Sequence, residues 1–344
     1  MRIEDRKIGV EKWGEADAAA PRLAQCNEDP APLGRQPTSD EIAEAISLLC
    51  VPPSNSVFFS LQSFCLKKPM PISTPIPIRH LSQSEFGEIA YAVMEQVFAI
   101  HKEFGRFFDE KIYKRELARR MAGVTLEVPV DVTFGSFTKR YFLDVLMGGG
   151  ALFEFKCAEE IHPRHRAQLL HYLLLLDLNH GKLINMRTEA VQHEFVNATL
   201  TTAARGQFTV DTARWRARSE GAAQLEGILI PMLRELGTGL DLNLYEEALA
   251  HLLGGAATML RDVPVASADD TPLGVQTMRL ITAASAFKLT AFKTFQPAYA
   301  EHCRRLLTHL PLKAIQWANI AHRQVTLTTI ERQGMQTEKL EREK

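Results

Sequence analysis

A chain of 344 residues, 46% hydrophobic and 24% charged, is long enough for two domains that each bury a core. Its 40 Lys and Arg against 41 Asp and Glu leave a net charge of -1, which excludes a basic whole-protein footprint and confines any nucleic-acid contact to a local groove. No apolar run reaches the roughly 18 residues that span a bilayer, and the start MRIEDRKIGVEKWGEAD lacks the basic-then-apolar order of a secretion signal.

Cys26, Cys50, Cys65, Cys157 and Cys303 are odd in number and show no paired spacing, so reduced thiols in a cytoplasm fit better than a disulfide framework or a zinc site. Residues 1–78 read as a poorly packed extension. Pro52-Pro53 and the PMPISTPIPI stretch at 69–78 deny the backbone its helix and ladder hydrogen bonds, and only Ser39–Leu49 carries a short helical pattern. Met70, inside that stretch, is a candidate start of the native chain.

From Ser84 the pattern becomes regular. Phe86, Ile89, Ala90, Val93, Val97 and Ile100 recur at three- and four-residue spacing, which predicts an amphipathic helix stopping near Gly105. A second helix runs from Phe108 to Met121 and ends at Gly123. TLEVPVDVTF then alternates with period two, Gly135-Ser136 turns the chain, and KRYFLDVLM returns as a second strand. Gly148-Gly149-Gly150 makes the next turn, into a third strand, ALFEFKCA. Pro163 opens a helix carrying His165 to Leu178 that Gly181 ends, and KLINM reads as a short buried strand. Residues 79–209 thus run helix, helix, three strands, helix, strand.

A second unit, 210–334, reads as an α/β or α+β domain. Its helices lie at Arg214–Leu236 and Leu244–Leu253, and its strands near Phe287–Phe292 and Ile315–Ile330. Residues 335–344 are a charged tail, and no internal repeat is visible.

The chemistry concentrates in F-E-F-K-C. On a strand, two-residue spacing points Glu154 and Lys156 to one face and Phe153 and Phe155 to the other. Asp144 lies on the preceding strand, across the triple-glycine turn, where antiparallel pairing sets it beside Glu154. Two carboxylates with an adjacent lysine supply hard oxygen donors for Mg²⁺ and a cation to orient water or offset phosphate charge. A cross-strand salt bridge on a solvated face accounts for the same spacing. Gln168 and Tyr172, four apart, share one face of the largely apolar helix that follows. A buried-side amide needs a partner, and the Glu154 strand is the nearest polar place. A helix-packing amide beside a snorkelling phenol fits these two residues as well.

Asp144, Glu154-x-Lys156 and Gln168-x-x-x-Tyr172, in that order, resemble the PD-(D/E)xK nuclease superfamily with the helical Gln/Tyr motif of its RecB-like branch. More narrowly, AYAVMEQVFAIHKEFGRFFDEKIYKREL is similar to the GxxExxY protein family, whose name-motif ends in Glu110-x-x-Tyr113. The resemblance covers about residues 80–200. Gly105 matches the first family glycine, Phe107 stands where the glycine of the name-motif belongs, and Leu143 replaces the proline of Pro-Asp.

The resemblance implies a nuclease-like αβββαβ core with a mixed sheet, and Mg²⁺ (or Mn²⁺) held by Glu110, Asp144 and Glu154. Lys156 would position the attacking water or offset phosphorane charge, and Gln168 and Tyr172 would orient the site or touch substrate. The implied partner is nucleic acid, DNA favoured. From spacing alone, Glu110 is also an ordinary i,i+4 partner of Lys114.

His162, His165, His171 and His180 surround the same helix without a zinc-ligand spacing. Lys111, Lys114, Arg115, Arg119 and Arg120 give the second helix a basic side, either a strip for a phosphate backbone or a solvated face. Farther on, Gly254-Gly255 and Leu273-Gly274-Val275-Gln276 are weak phosphate signals, Asn319 stands out without an assigned role, and Trp317 alternating with Ile315 reads as core. Two functions compete: a Mg²⁺-dependent phosphodiesterase acting on nucleic acid, and a binding or regulatory module that keeps the nuclease fold without turnover.

Overall fold

The computed structural model describes residues 71–332. The Ser39–Leu49 helix, the Met70 start and the charged tail lie outside them. All described residues belong to one compact unit. None of their helices is long and apolar enough to cross a membrane.

Residues 71–78, although proline-rich, are tied to the first sheet. Strand β1 (Ile72–Ser73) pairs antiparallel with β2 (Val124–Phe134), and Ile72, Ile76 and Ile78 pack onto the core. Two residues suffice because the flanking prolines allow no longer ladder. Helix α1 (Gln83–Phe104) starts one residue before the regular pattern at Ser84. There the Ser82 hydroxyl accepts from the Glu85 amide at 3.3 Å, while the Glu85 carboxylate accepts from the Ser82 amide at 2.9 Å. Its stripe of Phe86, Ala90, Val93, Val97 and Ile100 packs on Val145, Phe153 and Phe155. Helix α2 (Glu110–Arg120) follows a short loop.

Strands β2, β3 (Phe137–Met147) and β4 (Ala151–Lys156) form an antiparallel meander, as the alternation predicts. Gly150 closes the last turn so tightly that a Cβ there would lie 2.2 Å from the Arg79 carbonyl oxygen. Helix α3 (Pro163–Leu175) crosses over to β5 (His180–Asn185), which pairs parallel with β4, and β6 (Gln192–Asn197) completes a sheet in the order β1-β2-β3-β4-β5-β6. The αβββαβ core with a mixed sheet is therefore present. Helix α3 ends three residues early, and Gly181 belongs to β5. It is small there because Leu169 and Leu173 of α3 already press within 3.0–3.2 Å of where its Cβ would be.

The remaining elements are α4 (Thr202–Arg205), β7 (Thr209–Arg214), α5 (Ala222–Leu236), α6 (Leu242–Leu252), α7 (Ala256–Met259), β8 (Leu260–Ala266), β9 (Pro272–Thr282), β10 (Ser285–Thr290), α8 (Pro297–Thr308), β11 (Ala314–Ile320) and β12 (Gln324–Glu331). They build a second mixed sheet ordered β7-β12-β11-β10-β9-β8. The helix expected from Arg214 begins only at Ala222. Residues 209–214 are an edge strand instead, paired parallel to β12. Trp317 is core as predicted, its indole donating to Thr290 at 2.9 Å, and Asn319 braces the Thr290–Phe292 turn.

One hydrophobic core runs through both sheets, joining Leu143, Leu169 and Leu173 to Leu229, Leu233, Leu249, Phe287 and Leu327. At its edge Arg205 is fully buried, giving its guanidinium to the carbonyls of Leu174, Leu236 and Thr238 at 2.6, 3.3 and 2.7 Å. It thereby caps the ends of α3 and α5 together. Arg205→Ala is expected to cost at least about 3 kcal/mol in urea unfolding, since it leaves a cavity and three unpaired carbonyls. A loss below about 1 kcal/mol would mean that water replaces the clasp.

Candidate active site

The site forms where α2 meets β2, β3 and β4. Continuing the register Val145↔Phe153 sets Asp144 opposite Glu154 on neighbouring strands. Asp144 Oδ2 accepts the Phe155 amide at 2.9 Å, fixing its carboxylate against the β4 backbone. Glu154 is almost wholly buried. Its Oε1 accepts from Lys156 Nζ at 2.6 Å, and its Oε2 has no hydrogen-bond partner among the described residues. Glu154 and Lys156 thus meet as the spacing predicts, and neither faces open solvent, their side chains being 1% and 15% exposed.

Glu110 enters from the first turn of α2. Tyr113, one helical turn later and fully buried, holds the entry loop. Its hydroxyl donates to the Gly105 carbonyl at 2.8 Å and accepts from the Phe108 amide at 3.1 Å. Phe107 is exposed, and its φ is not positive, so this loop has no need of a glycine there. Glu110 Oε1 lies 3.3 Å from Lys114 Nζ, the i,i+4 pair expected from spacing, but the lysine is buried.

Lys114 is the main correction to the basic strip. Rather than lining a solvated face, its ammonium donates to Asp144 Oδ1 at 2.7 Å and to Glu127. Arg119 and Arg120 are bound by Glu116 and Glu103, and Lys111 lies 3.6 Å from Asp109. Glu127 itself was not singled out by sequence reasoning. It falls opposite Asp144 between the pairs Leu126↔Val145 and Val128↔Leu143, with a left-handed φ of 50°. A non-glycine residue in that conformation is strained, and here the strain turns the carboxylate toward Lys114.

Burial and the charge of Asp144 push the Glu154 carboxyl up to about 8, against the pull of Lys156. Burial and Asp144 likewise raise Glu110. Burial would lower the two lysines, yet Asp144 and Glu127 raise Lys114, and Glu154 raises Lys156. Glu110 and Glu154 therefore hold protons more tightly than ordinary carboxyls.

Gln168 does not reach the Glu154 strand. Its amide donates to the Tyr172 hydroxyl at 3.1 Å, so the two helical residues partner each other beside the carboxylates, whose charges act on that phenol. The four histidines scatter. His162 and His165 cap α3, His180 pairs with Asn197, and His171 accepts the Asp241 amide.

Among the described residues no three His, Cys, Asp or Glu side chains already stand in metal-holding geometry, because Lys114 lies between Glu110, Glu127 and Asp144. The donor chemistry nevertheless fits a hard divalent cation. Four carboxylates against two ammonium groups leave the charge that one such ion neutralises, and the bare Glu154 Oε2 offers a buried oxygen ligand. Cation uptake would replace the protons held by Glu154 and Glu110.

No curated protein and no solved structure matches the chain. Residues 87–197, which carry every candidate side chain named above, match the family model described as the PD-(D/E)XK nuclease superfamily, so about a third of the chain is similar to that superfamily.

Proposed function

We propose that the protein is a divalent-metal-dependent nuclease that hydrolyses phosphodiester bonds of nucleic acid, with DNA favoured, and that its finer kinship is to the GxxExxY family. The observation that carries this reading is the pair of facing acids Asp144 and Glu154, the latter bearing a bare buried oxygen and a bonded lysine two residues on. Glu110, Asp144 and Glu154 would hold Mg²⁺ or Mn²⁺. When bound, the metal supplies Lewis acidity at the phosphoryl oxygens and lowers the pKa of water.

The chain's own groups do the rest. Lys156 places a positive charge where the attacked phosphate gathers negative charge, and its hydrogen bond to Glu154 fixes its direction. Glu154 and Asp144 keep that ammonium charged. Tyr172, steadied by Gln168, borders the carboxylates on the α3 side and orients the substrate strand. The reduced thiols fit a cytoplasmic protein.

The test is a cleavage screen over single- and double-stranded DNA and RNA with Mg²⁺ and Mn²⁺. Glu154→Gln keeps the shape and an acceptor for Lys156 while deleting the charge, so cleavage should fall at least about 100-fold with the melting temperature nearly unchanged. Undiminished cleavage by this variant would remove the site from the mechanism. A second reading, a nuclease-fold binding module without turnover, is favoured by one observation: Lys114 already serves three carboxylates as an internal cation.

A further inference from the structure

Between α3 and the loop joining α5 to α6 lies a half-open cavity of about 590 Å³. Its α3 wall carries Gln168, His171 and Tyr172, with Tyr141 of β3 beside them, and Asp241 and Asn243 face them from the loop and the start of α6. Tyr172 belongs to this place and to the carboxylate site alike, and Gln168 steadies it. They line this cavity, and the charges of Glu154, Asp144 and Lys156 reach the Tyr172 hydroxyl. Tyr172 is thus the residue common to the cavity wall and the surroundings of the carboxylates.

Its walls are built and fixed. Tyr245, fully buried, donates to the Gly237 carbonyl and accepts the Leu240 amide, while Arg205 holds the Leu236 and Thr238 carbonyls. The loop is thus held before any ligand arrives. On the opposite wall, Tyr141, His171 and Tyr172 form an aromatic cluster, with the Tyr141 and His171 rings 4.8 Å apart between centroids.

Behind this lining, the Tyr141 hydroxyl and His171 Nε2 are buried without a partner among the described residues and present no surface to the cavity, so the groups that meet a ligand are the ring faces and the polar side chains at the mouth. His171 Nδ1 accepts the Asp241 amide at 3.1 Å, which places the ring proton on Nε2. Burial holds this imidazole down at about 4, so it is a neutral donor lacking an acceptor. Asn243 and Gln168 add amides, Asp241 adds a carboxylate, and Arg164 stands exposed at the rim.

We propose that this cavity receives an unpaired nucleobase of the strand cut at the carboxylate site, an inference that rests on the nuclease reading above and names its substrate as single-stranded or locally unpaired nucleic acid. An aromatic wall facing mixed donors and acceptors matches a flat heterocycle with a hydrogen-bonding edge. An aliphatic ligand would leave those polar groups unpaired, and a base inside a duplex cannot enter a recess. Arg164 meets the adjoining phosphate.

The experiment is fluorescence anisotropy on the full chain in EDTA, so that binding is read without cleavage. The probes are a labelled single-stranded DNA oligonucleotide, the same strand made abasic, and the corresponding duplex. The base-bearing strand should bind at least about tenfold tighter than either control. Ala167→Trp fills the cavity from an exposed position on α3 and should abolish that difference. Asn243→Ala, which trims one edge group, should reduce it several-fold and serves if the larger change disturbs folding.

Equal affinity for the base-bearing and abasic strands, or for single strand and duplex, overturns the proposal. So does discrimination that survives in a folded Ala167→Trp protein. Metal-dependent cleavage without base discrimination removes the cavity's role alone. Base discrimination in a protein that cuts nothing keeps the cavity and removes the nuclease reading.

Discussion

Lys156→Met is expected to lower turnover at saturating metal by about two to three orders of magnitude, the usual result of deleting one oriented charge from a transition state. Methionine follows the lysine stem, so packing at the end of β4 should survive. Metal binding should change in a way the fold dictates. Removing the ammonium takes a like charge away from the cation, which favours binding. It also removes the group that pulls the Glu154 carboxyl down, so that pKa climbs above about 8. A proton must then leave before metal enters, and apparent affinity should rise with pH more steeply than in the wild type, reaching or passing it on the alkaline side. Isothermal titration with Mg²⁺ across a pH series, beside single-turnover cleavage, reads both effects. Normal turnover in the variant would reduce Lys156 to a structural partner of Glu154.

Asp144, Glu154 and Lys156 were legible because strand periodicity is rigid: two residues on one strand, or opposite residues across a short turn, have nowhere else to point. The α1 stripe and the triple-glycine turn were legible for the same local reason. What escaped was the work of distant segments. TLEVPVDVTF alternates through Glu127 without interruption, and nothing local announces the left-handed residue that aims its carboxylate at α2. Lys114 looks like the solvated face of a charged helix until β2 and β3 close over it. Gly181 resembled a helix end, whereas its smallness answers to leucines of α3. Residues 209–214 carry no apolar alternation because they form an exposed edge, recognisable only once β12 is beside them.

The sharper test of whether the site takes a metal at all lies at Lys114. Lys114 is the cation nearest Asp144, and its side chain is only 7% exposed. Lys114→Met leaves Glu110, Glu127 and Asp144 without the ammonium that bonds all three, and Lys156 as the remaining cation near them. In EDTA this should cost about 3 kcal/mol, the order expected when one partner of a buried ion pair is removed. The sign with pH follows from the carboxylates. Burial, with the charge of Asp144 beside them, raises the folded-state pKa values of Glu110 and Glu154 above those of the unfolded chain, so the folded protein holds more protons, and the variant should lose stability as pH rises through the range from about 4.5 toward 8. A divalent cation reverses the deficit. With Lys114 gone, it enters a more negative site free of a repulsion that reaches roughly 4 kcal/mol for unit charges 4 Å apart at an effective dielectric of 20. Mg²⁺ should therefore bind at least about tenfold tighter than to the wild type and raise the melting temperature by more. If the variant is destabilised and Mg²⁺ restores nothing, Lys114 is the site's permanent cation, the carboxylates serve the fold, and the binding-module reading takes the place of the nuclease.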